Sequence, residues 1–140
     1  METKLYEKNC ITVDGRLDEA VWETAQKHTG FKHLQSRGAA LASAQATFYV
    51  LPCEDRVYFG IKCDEPDIDK VVETHPTRSM WCTDSVEFFI SPSGDSFEFY
   101  QFLITMGNHT AANFHSESGN IHPDPYAPQW KHATYVGENY

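Results

Sequence analysis

The feature that most constrains the fold is the alternation of apolar and polar residues inside 81–94, Trp-Cys-Thr-Asp-Ser-Val-Glu-Phe-Phe-Ile-Ser-Pro-Ser-Gly. Val86, Phe88 and Ile90 recur at every second position. This period indicates a strand with one buried face, because successive side chains of a strand point to opposite faces. The Ser-Pro-Ser-Gly run has turn chemistry and ends the strand, so we predict a strand over 84–91.

The other face of this predicted strand carries Glu87 and Phe89, with Asp84 and Trp81 at its entry. A carboxylate beside an aromatic side chain on a rigid strand suits the binding of a sugar or a cation. An exposed charge explains Glu87 equally well, and core packing explains Trp81 equally well.

Alternation, aromatic and β-branched residues, apolar runs and turn signals together predict seven further short strands and one short helix. The further strands lie at 11–13, 28–34, 45–51, 56–63, 97–108, 110–115 and 130–136. The strands on either side of 52–55 are predicted to form a hairpin through this four-residue polar connection, and 116–128 is predicted to be a loop. The helix is capped by Asp18 and places Trp22 in the core. This pattern predicts an all-β fold, an antiparallel β-sandwich with one short helix near the N-terminus, in a single domain over 1–140.

Gln101 is the polar exception within an apolar run of the predicted strand at 97–108. A buried amide needs hydrogen-bond partners. Its position therefore favours a polar groove beside Glu87.

The composition excludes some classes of function. The formal net charge is −9, which argues against nucleic-acid binding because phosphate contacts require clustered Lys and Arg. No apolar run approaches the ~20 residues of a membrane span, and no signal peptide is recognised after Met1. The four cysteines at 10, 53, 63 and 82 form no CxxC pair, and the sequence does not choose among their disulfide pairings.

An acidic run, Asp-Glu-Pro-Asp-Ile-Asp, occupies 64–69. Asp64, Asp67 and Asp69 are candidate ligands for Ca²⁺, which takes six to eight oxygen ligands, and Asp64 ranks first. A solvated acidic loop explains the same residues, since runs of charge are usually exposed.

Four motifs occur together in an order and spacing that resembles a known family. They are Val-Asp-Gly-Arg-Leu-Asp-Glu-Ala-Val-Trp at 13–22, the hairpin at 45–64 that ends in Cys-Asp, Trp-x-x-Asp-Ser-Val-Glu-Phe-Phe-Ile at 81–90, and Gln-Phe-Leu-Ile-Thr-Met-Gly-Asn at 101–108. Together they look like the family 9 carbohydrate-binding modules, which belong to the wider DOMON-like β-sandwich group with its immunoglobulin-like architecture. The resemblance covers nearly all of residues 10–136.

The resemblance implies a non-catalytic sugar-binding sandwich, appended to secreted xylanases and other glycoside hydrolases that degrade plant polysaccharides, and often carrying structural calcium. Trp81 matches one of the two tryptophans that clamp a pyranose in this family, and Glu87 matches the acid of the same motif. With Gln101 and Asp84 they form the predicted sugar-binding set. An extracellular or periplasmic location is also implied.

Two departures from the family pattern bear on these expectations. The second clamp tryptophan and the closing strands fall beyond residue 140, so we expect a truncated module whose open sheet edges pair in a homodimer. Leu103 and Thr105 stand where family members carry Arg and Asn, which weakens the expected hydrogen bonding to sugar.

Three alternative functions remain open at this point. The first is a degenerate structural or spacer module without a ligand, because the polar family residues are replaced. The second is a glycoside hydrolase, with its carboxylate pair drawn from Asp84, Glu87 and Glu98. The third is a haem-binding DOMON-like domain, with ligands drawn from His75, Met80 and Met106.

Overall fold

The computed structural model describes residues 5–34, 37–71, 83–94, 97–123 and 129–137. Within these ranges the chain forms seven strands in two antiparallel sheets. They are β1 (Gln26–His28), β2 (Ala46–Pro52), β3 (Val57–Cys63), β4 (Ser85–Ile90), β5 (Phe99–Thr105), β6 (Thr110–His115) and β7 (Ile121–Pro123). The predicted all-β class is confirmed, with two antiparallel sheets as a β-sandwich requires. None of the helices in the described ranges is long and apolar enough to cross a membrane.

The chain divides into two units, and the first comprises residues 1–69 together with 136–140. Its sheet has the order β1-β2-β3. The β2–β3 pair is the predicted hairpin, since Ala46 lies opposite Cys63 and Pro52 opposite Val57. The intervening turn is closed by the Cys53 N–H, which donates to the Arg56 carbonyl at 2.7 Å.

The core of this first unit forms around Trp22, whose side chain is only 4% exposed. Ala25, Leu51 and Cys53 are buried against it. The indole rests on Gly60 of β3, where a Cβ would come within 3.1 Å of the ring. The prediction that Trp22 is a core residue is therefore confirmed.

The helix near Trp22 differs from the prediction in type and in cap. It is a 3-10 helix over Ala20–Thr24, and its N-cap is Glu19 rather than Asp18. The Glu19 carboxylate accepts the Trp22 Nε1–H at 3.0 Å and the backbone N–H of Thr12 at 2.7 Å. The longer glutamate side chain reaches both donors, so it fixes the indole and the preceding segment together.

Two of the strand predictions near the N-terminus are wrong, one in the existence of the strand and one in its position. Residues 11–13 are not in a strand, because the backbone N–H of Thr12 bonds to a side chain instead of a neighbouring strand. The strand predicted at 28–34 lies earlier, at Gln26–His28, and Lys32 makes only an isolated bridge with Leu41.

The second unit comprises residues 70–135, and its sheet has the order β4-β5-β6-β7. The central strand β5 pairs with β4 on one side and β6 on the other. This confirms the strands predicted at 84–91, 97–108 and 110–115, with tighter bounds. The loop predicted at 116–128 contains β7, which pairs with β6, so that part of the prediction is wrong.

The strand predicted at 130–136 is also wrong, since residues 129–137 contain no strand. Its alternation nevertheless reflects real contacts with the second sheet. The Trp130 ring packs edge-on against Phe88 and Phe102, with centroids 5.8 and 5.1 Å away. The Thr134 hydroxyl donates to the Met106 carbonyl at 2.8 Å. Side-chain contacts, rather than backbone hydrogen bonds to a neighbouring strand, hold this segment in place. A period of two in the sequence does not distinguish these two kinds of contact.

Candidate functional site

Five side chains on three neighbouring strands share one face of the second sheet. Phe89 of β4 lies opposite Gln101 of β5, and Phe99 of β5 lies opposite His115 of β6. Paired residues project to the same face of a sheet, and so do residues two apart on one strand, which adds Glu87. We call Glu87, Phe89, Phe99, Gln101 and His115 the polar–aromatic face.

A hydrogen-bond chain crosses the three strands on this face. The Gln101 Nε2 donates to Glu87 Oε2 at 3.1 Å, and Gln101 Oε1 lies 2.7 Å from His115 Nε2. Gln101 therefore bonds to diagonal neighbours on both adjacent strands. Gln101 thus has polar partners on both sides, and one of them is Glu87.

The Glu87 carboxylate sets the direction of this chain. An ionised carboxylate only accepts hydrogen bonds, so the amide nitrogen of Gln101 must face it. The amide oxygen then faces His115, and it too only accepts, so His115 Nε2 carries the proton. A neutral His115 consequently presents Nδ1 as an acceptor.

Three rings form a second row on the same face. Phe99 stacks on the His115 ring with centroids 4.4 Å apart and an interplanar angle of 14°. Phe89 meets Phe99 edge-on at 5.8 Å, and the side chain of Phe89 is 57% exposed. The face thus presents an exposed aromatic surface beside a fixed row of polar atoms.

The same side of the sheet is covered at its other end. Leu103 and Thr105 of β5 are 0% and 1% exposed, and the Thr105 hydroxyl accepts the His109 N–H at 3.2 Å. These are the two positions where the resemblance drawn from the motifs led us to expect Arg and Asn. In this chain they are packed, so the accessible part of the face lies toward Phe89, Phe99 and His115.

The four residues predicted to bind sugar are not all brought together by the structure. Glu87 and Gln101 are brought together, while Asp84 lies exposed one residue before β4, outside the three-residue hydrogen-bond chain. Trp81 falls outside the described residues, so its role stays a prediction. The haem candidates His75 and Met80 also fall outside them.

Sequence reasoning placed Phe99 on the same face as Gln101 but missed His115 as a member of the face. His115 looks like an ordinary strand residue when its strand is taken alone. The signal lies in the register across the turn between β5 and β6, which pairs the two rings. The register between the three strands is what shows that these residues, which are distant in sequence, lie on one surface.

The acidic loop does not form a metal cage in the described part of the chain. Those residues hold no group of three or more His, Cys, Asp or Glu side chains placed to bind a metal ion. The Glu65 carboxylate instead accepts the Asp67 backbone N–H at 2.8 Å. Calcium binding by Asp64, Asp67 and Asp69 therefore stays a prediction, and this geometry does not favour it.

Charges elsewhere in the first unit serve the turn between β2 and β3. Arg56 donates to the Asp55 carboxylate at 2.7 Å, which lowers the pKa of Asp55 and raises that of Arg56. Both side chains are substantially exposed. This pair therefore stabilises a surface turn. The turn joins two strands of the first sheet, whereas the polar–aromatic face belongs to the second sheet.

A family model described as "Carbohydrate family 9 binding domain-like" matches residues 13–138. The match includes all seven strands and every residue of the polar–aromatic face, and it confirms the resemblance drawn from the motifs. Searches of curated proteins and of solved structures returned no significant match.

Proposed function

The chain belongs to the carbohydrate family 9 binding domain-like family, and on that basis we propose that it binds carbohydrate, without catalysis, on the polar–aromatic face. The observation that carries the proposal is the Glu87–Gln101–His115 hydrogen-bond chain lying beside the exposed Phe89 ring. This combination suits a sugar, because each pyranose offers hydroxyl groups at its rim and C–H bonds on its faces.

Each group on the face has a proposed role. The remaining acceptor capacity of the Glu87 carboxylate receives sugar hydroxyl protons in charge-assisted bonds. The exposed Phe89 ring stacks against a pyranose, and Phe99 supports that ring from its edge. Gln101 and His115 hold the polar row in place, so little ordering remains to be done on binding. Trp81 is proposed to supply a further stacking surface, and Asp84 a further acceptor.

The finer features of the proposal are supported by the family resemblance alone. The ligand is proposed to be a plant polysaccharide or an oligosaccharide end, such as xylan. A parent glycoside hydrolase of the xylanase type and an extracellular or periplasmic location belong to the same proposal. A homodimer through open sheet edges is proposed separately, because unpaired edges invite pairing with another chain. Sedimentation velocity over a range of concentrations tests the dimer, and a monomer throughout contradicts it.

Isothermal titration calorimetry with xylobiose, cellobiose and glucose tests the binding proposal. Binding at one exposed face is expected to be weak, with a dissociation constant on the order of 1 mM, or about −4 kcal/mol. Glu87→Gln is expected to weaken binding about tenfold or more, since hydrogen bonds to charged groups contribute about 1.5–3 kcal/mol. Phe89→Ala removes the stacking surface and is expected to weaken binding as well.

Matched controls separate these effects from general damage. Glu117→Gln neutralises an exposed glutamate in the turn between β6 and β7, and Phe31→Ala removes an exposed ring from the first unit. Both are expected to keep wild-type affinity. Equal loss in a control and in its partner variant contradicts the assignment of the site.

A second candidate function is a structural module that has lost its ligand. The observation that favours it is the burial of Leu103 and Thr105 at positions that are polar in the family. No heat with any sugar, from protein that circular dichroism shows to be folded, would support this second function and contradict the first.

A further inference from the structure

Two cysteine thiols meet in the first unit. Cys10 and Cys53 have their Sγ atoms 3.4 Å apart, although 43 positions separate them in sequence. Cys10 is half-buried and Cys53 is buried, with 6% of its surface exposed. A disulfide bond is about 2.0 Å long, so the sulfurs need to approach by only about 1.4 Å.

The backbone on both sides of the pair is held in place. Tyr6 forms a parallel bridge with Cys53, in which its N–H donates to the Pro52 carbonyl at 2.9 Å and its carbonyl accepts the Glu54 N–H at 3.2 Å. Asn9 then has a φ of 56°, which is the left-handed region that asparagine tolerates. The turn at Asn9 redirects the chain, so that Cys10 contacts Cys53, the residue that also forms the bridge with Tyr6.

We propose that Cys10 and Cys53 are a disulfide-forming pair that fastens the N-terminal segment to the end of β2. The third described cysteine, Cys63, lies on β3 opposite Ala46. Of the cysteines that the structure describes, only Cys10 and Cys53 are in contact through sulfur. The contact selects one pairing where the sequence left several.

The reaction requires an oxidant, and oxidised glutathione or another small disulfide supplies it. The Cys10 thiolate attacks the glutathione disulfide, one glutathione thiolate leaves, and a mixed disulfide forms on Cys10. Cys53, as its thiolate, then attacks the Cys10 sulfur and releases the second glutathione thiolate. Two S–H bonds are replaced by one S–S bond, and two protons and two electrons pass to the glutathione pair.

Burial influences the rate of this second step. Desolvation is the main cause that raises the pKa of Cys53, from 9.0 to about 11, and the hydrogen bond with Cys10 adds to it. At neutral pH Cys53 is therefore almost entirely thiol and resists outside reagents. Its proximity to Cys10 compensates, because ring closure takes place between atoms already in contact.

Peptide mapping gives a direct test on the wild-type protein. Cleavage after Lys and Arg places the four cysteines on four separate peptides, at 9–16, 38–56, 63–70 and 79–131. The protein is treated with oxidised glutathione, alkylated with iodoacetamide without reduction, digested with trypsin and analysed by mass spectrometry. The expected result is one cross-linked species, 9–16 joined to 38–56, which disappears when dithiothreitol is added before alkylation.

Other products would overturn the proposal. These are a link from either peptide to 63–70 or 79–131, a glutathione adduct on 9–16 that never resolves, or two separately alkylated peptides. As a control, Cys63→Ser is expected to keep the cross-link, whereas Cys53→Ser abolishes it. Oxidation is also expected to raise the Tm of the wild type by on the order of 10 °C, and to leave the Tm of Cys53→Ser unchanged. An unchanged wild-type Tm despite complete cross-linking would contradict the fastening role.

Discussion

At the scale of single residues, the donor and acceptor roles that Glu87 imposes along its hydrogen-bond chain can be measured. Because Gln101 presents its carbonyl oxygen to His115, the neutral imidazole is expected to carry its proton on Nε2. Long-range ¹H–¹⁵N spectra at pH 8 are expected to show this tautomer in the wild type. Gln101→Leu removes the acceptor and is expected to give a mixture of tautomers. His132, whose Nδ1 lies 2.9 Å from Asn108 Oδ1, serves as an internal control that stays unchanged.

Any side chain at position 60 is expected to destabilise the fold for a steric reason. A Cβ there would lie 2.9 Å from Leu17 Cδ2 and 3.1 Å from the Trp22 ring. Gly60→Ala is therefore expected to destabilise the fold by about 1–3 kcal/mol, the usual cost of overpacking. Urea denaturation measures this cost. Gly119→Asn is the control, since that site is open and asparagine tolerates its φ of 78°, so a loss as large as that of Gly60→Ala would contradict the explanation.

The buried thiol of Cys53 predicts a pH dependence of the reduced protein. Its pKa is raised from 9.0 to about 11 in the folded state, so the unfolded chain releases this proton first as the pH rises. The corresponding stability is fully present below about pH 9 and is lost as the pH rises to about 11. We expect the free energy of unfolding of the wild type, measured relative to Cys53→Ala in dithiothreitol, to fall across this window. A difference that stays constant from pH 8 to pH 11 would refute the shift.

At the scale of elements, two adjacent residues of β4 allow the effects of substitution on packing and on sugar binding to be measured separately. Phe88 stacks on Phe102 at 5.0 Å and meets Trp130, whereas Phe89 projects from the opposite face and is 57% exposed. Phe88→Ala is expected to cost about 3 kcal/mol of stability, with sugar affinity retained in the folded fraction. Phe89→Ala is expected to cost under about 1 kcal/mol and to weaken sugar binding. Reversal of these two outcomes would show that the faces are wrongly assigned.

The strands differ in how well the sequence predicts them, and the difference has a physical cause. β2 to β6 lie in segments with local signals of their own, such as alternation in β4 and an apolar run in β5, and turn residues separate them, so local pattern suffices. β7 has three residues, too few for a period to show, and it exists because β6 offers it a partner. The segment around Trp130 alternates but bonds through side chains. Likewise Glu87 and Gln101 could be proposed from sequence, whereas His115 needed the register.

At the scale of the whole molecule, the excess of acidic residues affects which sugars can bind. The chain has 20 Asp and Glu against 11 Lys and Arg, and a carboxylate lies in the proposed site. Neutral oligosaccharides are expected to bind with nearly the same affinity from about 50 to about 500 mM salt, because no net charge is brought together. Acidic polymers such as polygalacturonate are expected to bind poorly, most of all at low salt. Calorimetry of both ligands at two salt concentrations measures this, and strong binding of the acidic polymer at low salt would contradict it.

The opposed faces of β4 also bear on how such a protein can change over generations. Glu87 and Phe89 are exposed, so substitutions there are expected to alter recognition at small cost to folding. New specificities can therefore be explored by drift or by directed evolution at Phe89 and Glu87, while Phe88 and its neighbours preserve the scaffold. A library restricted to Glu87 and Phe89 of β4 would sample ligand preference while it leaves the packed residues of that strand unchanged.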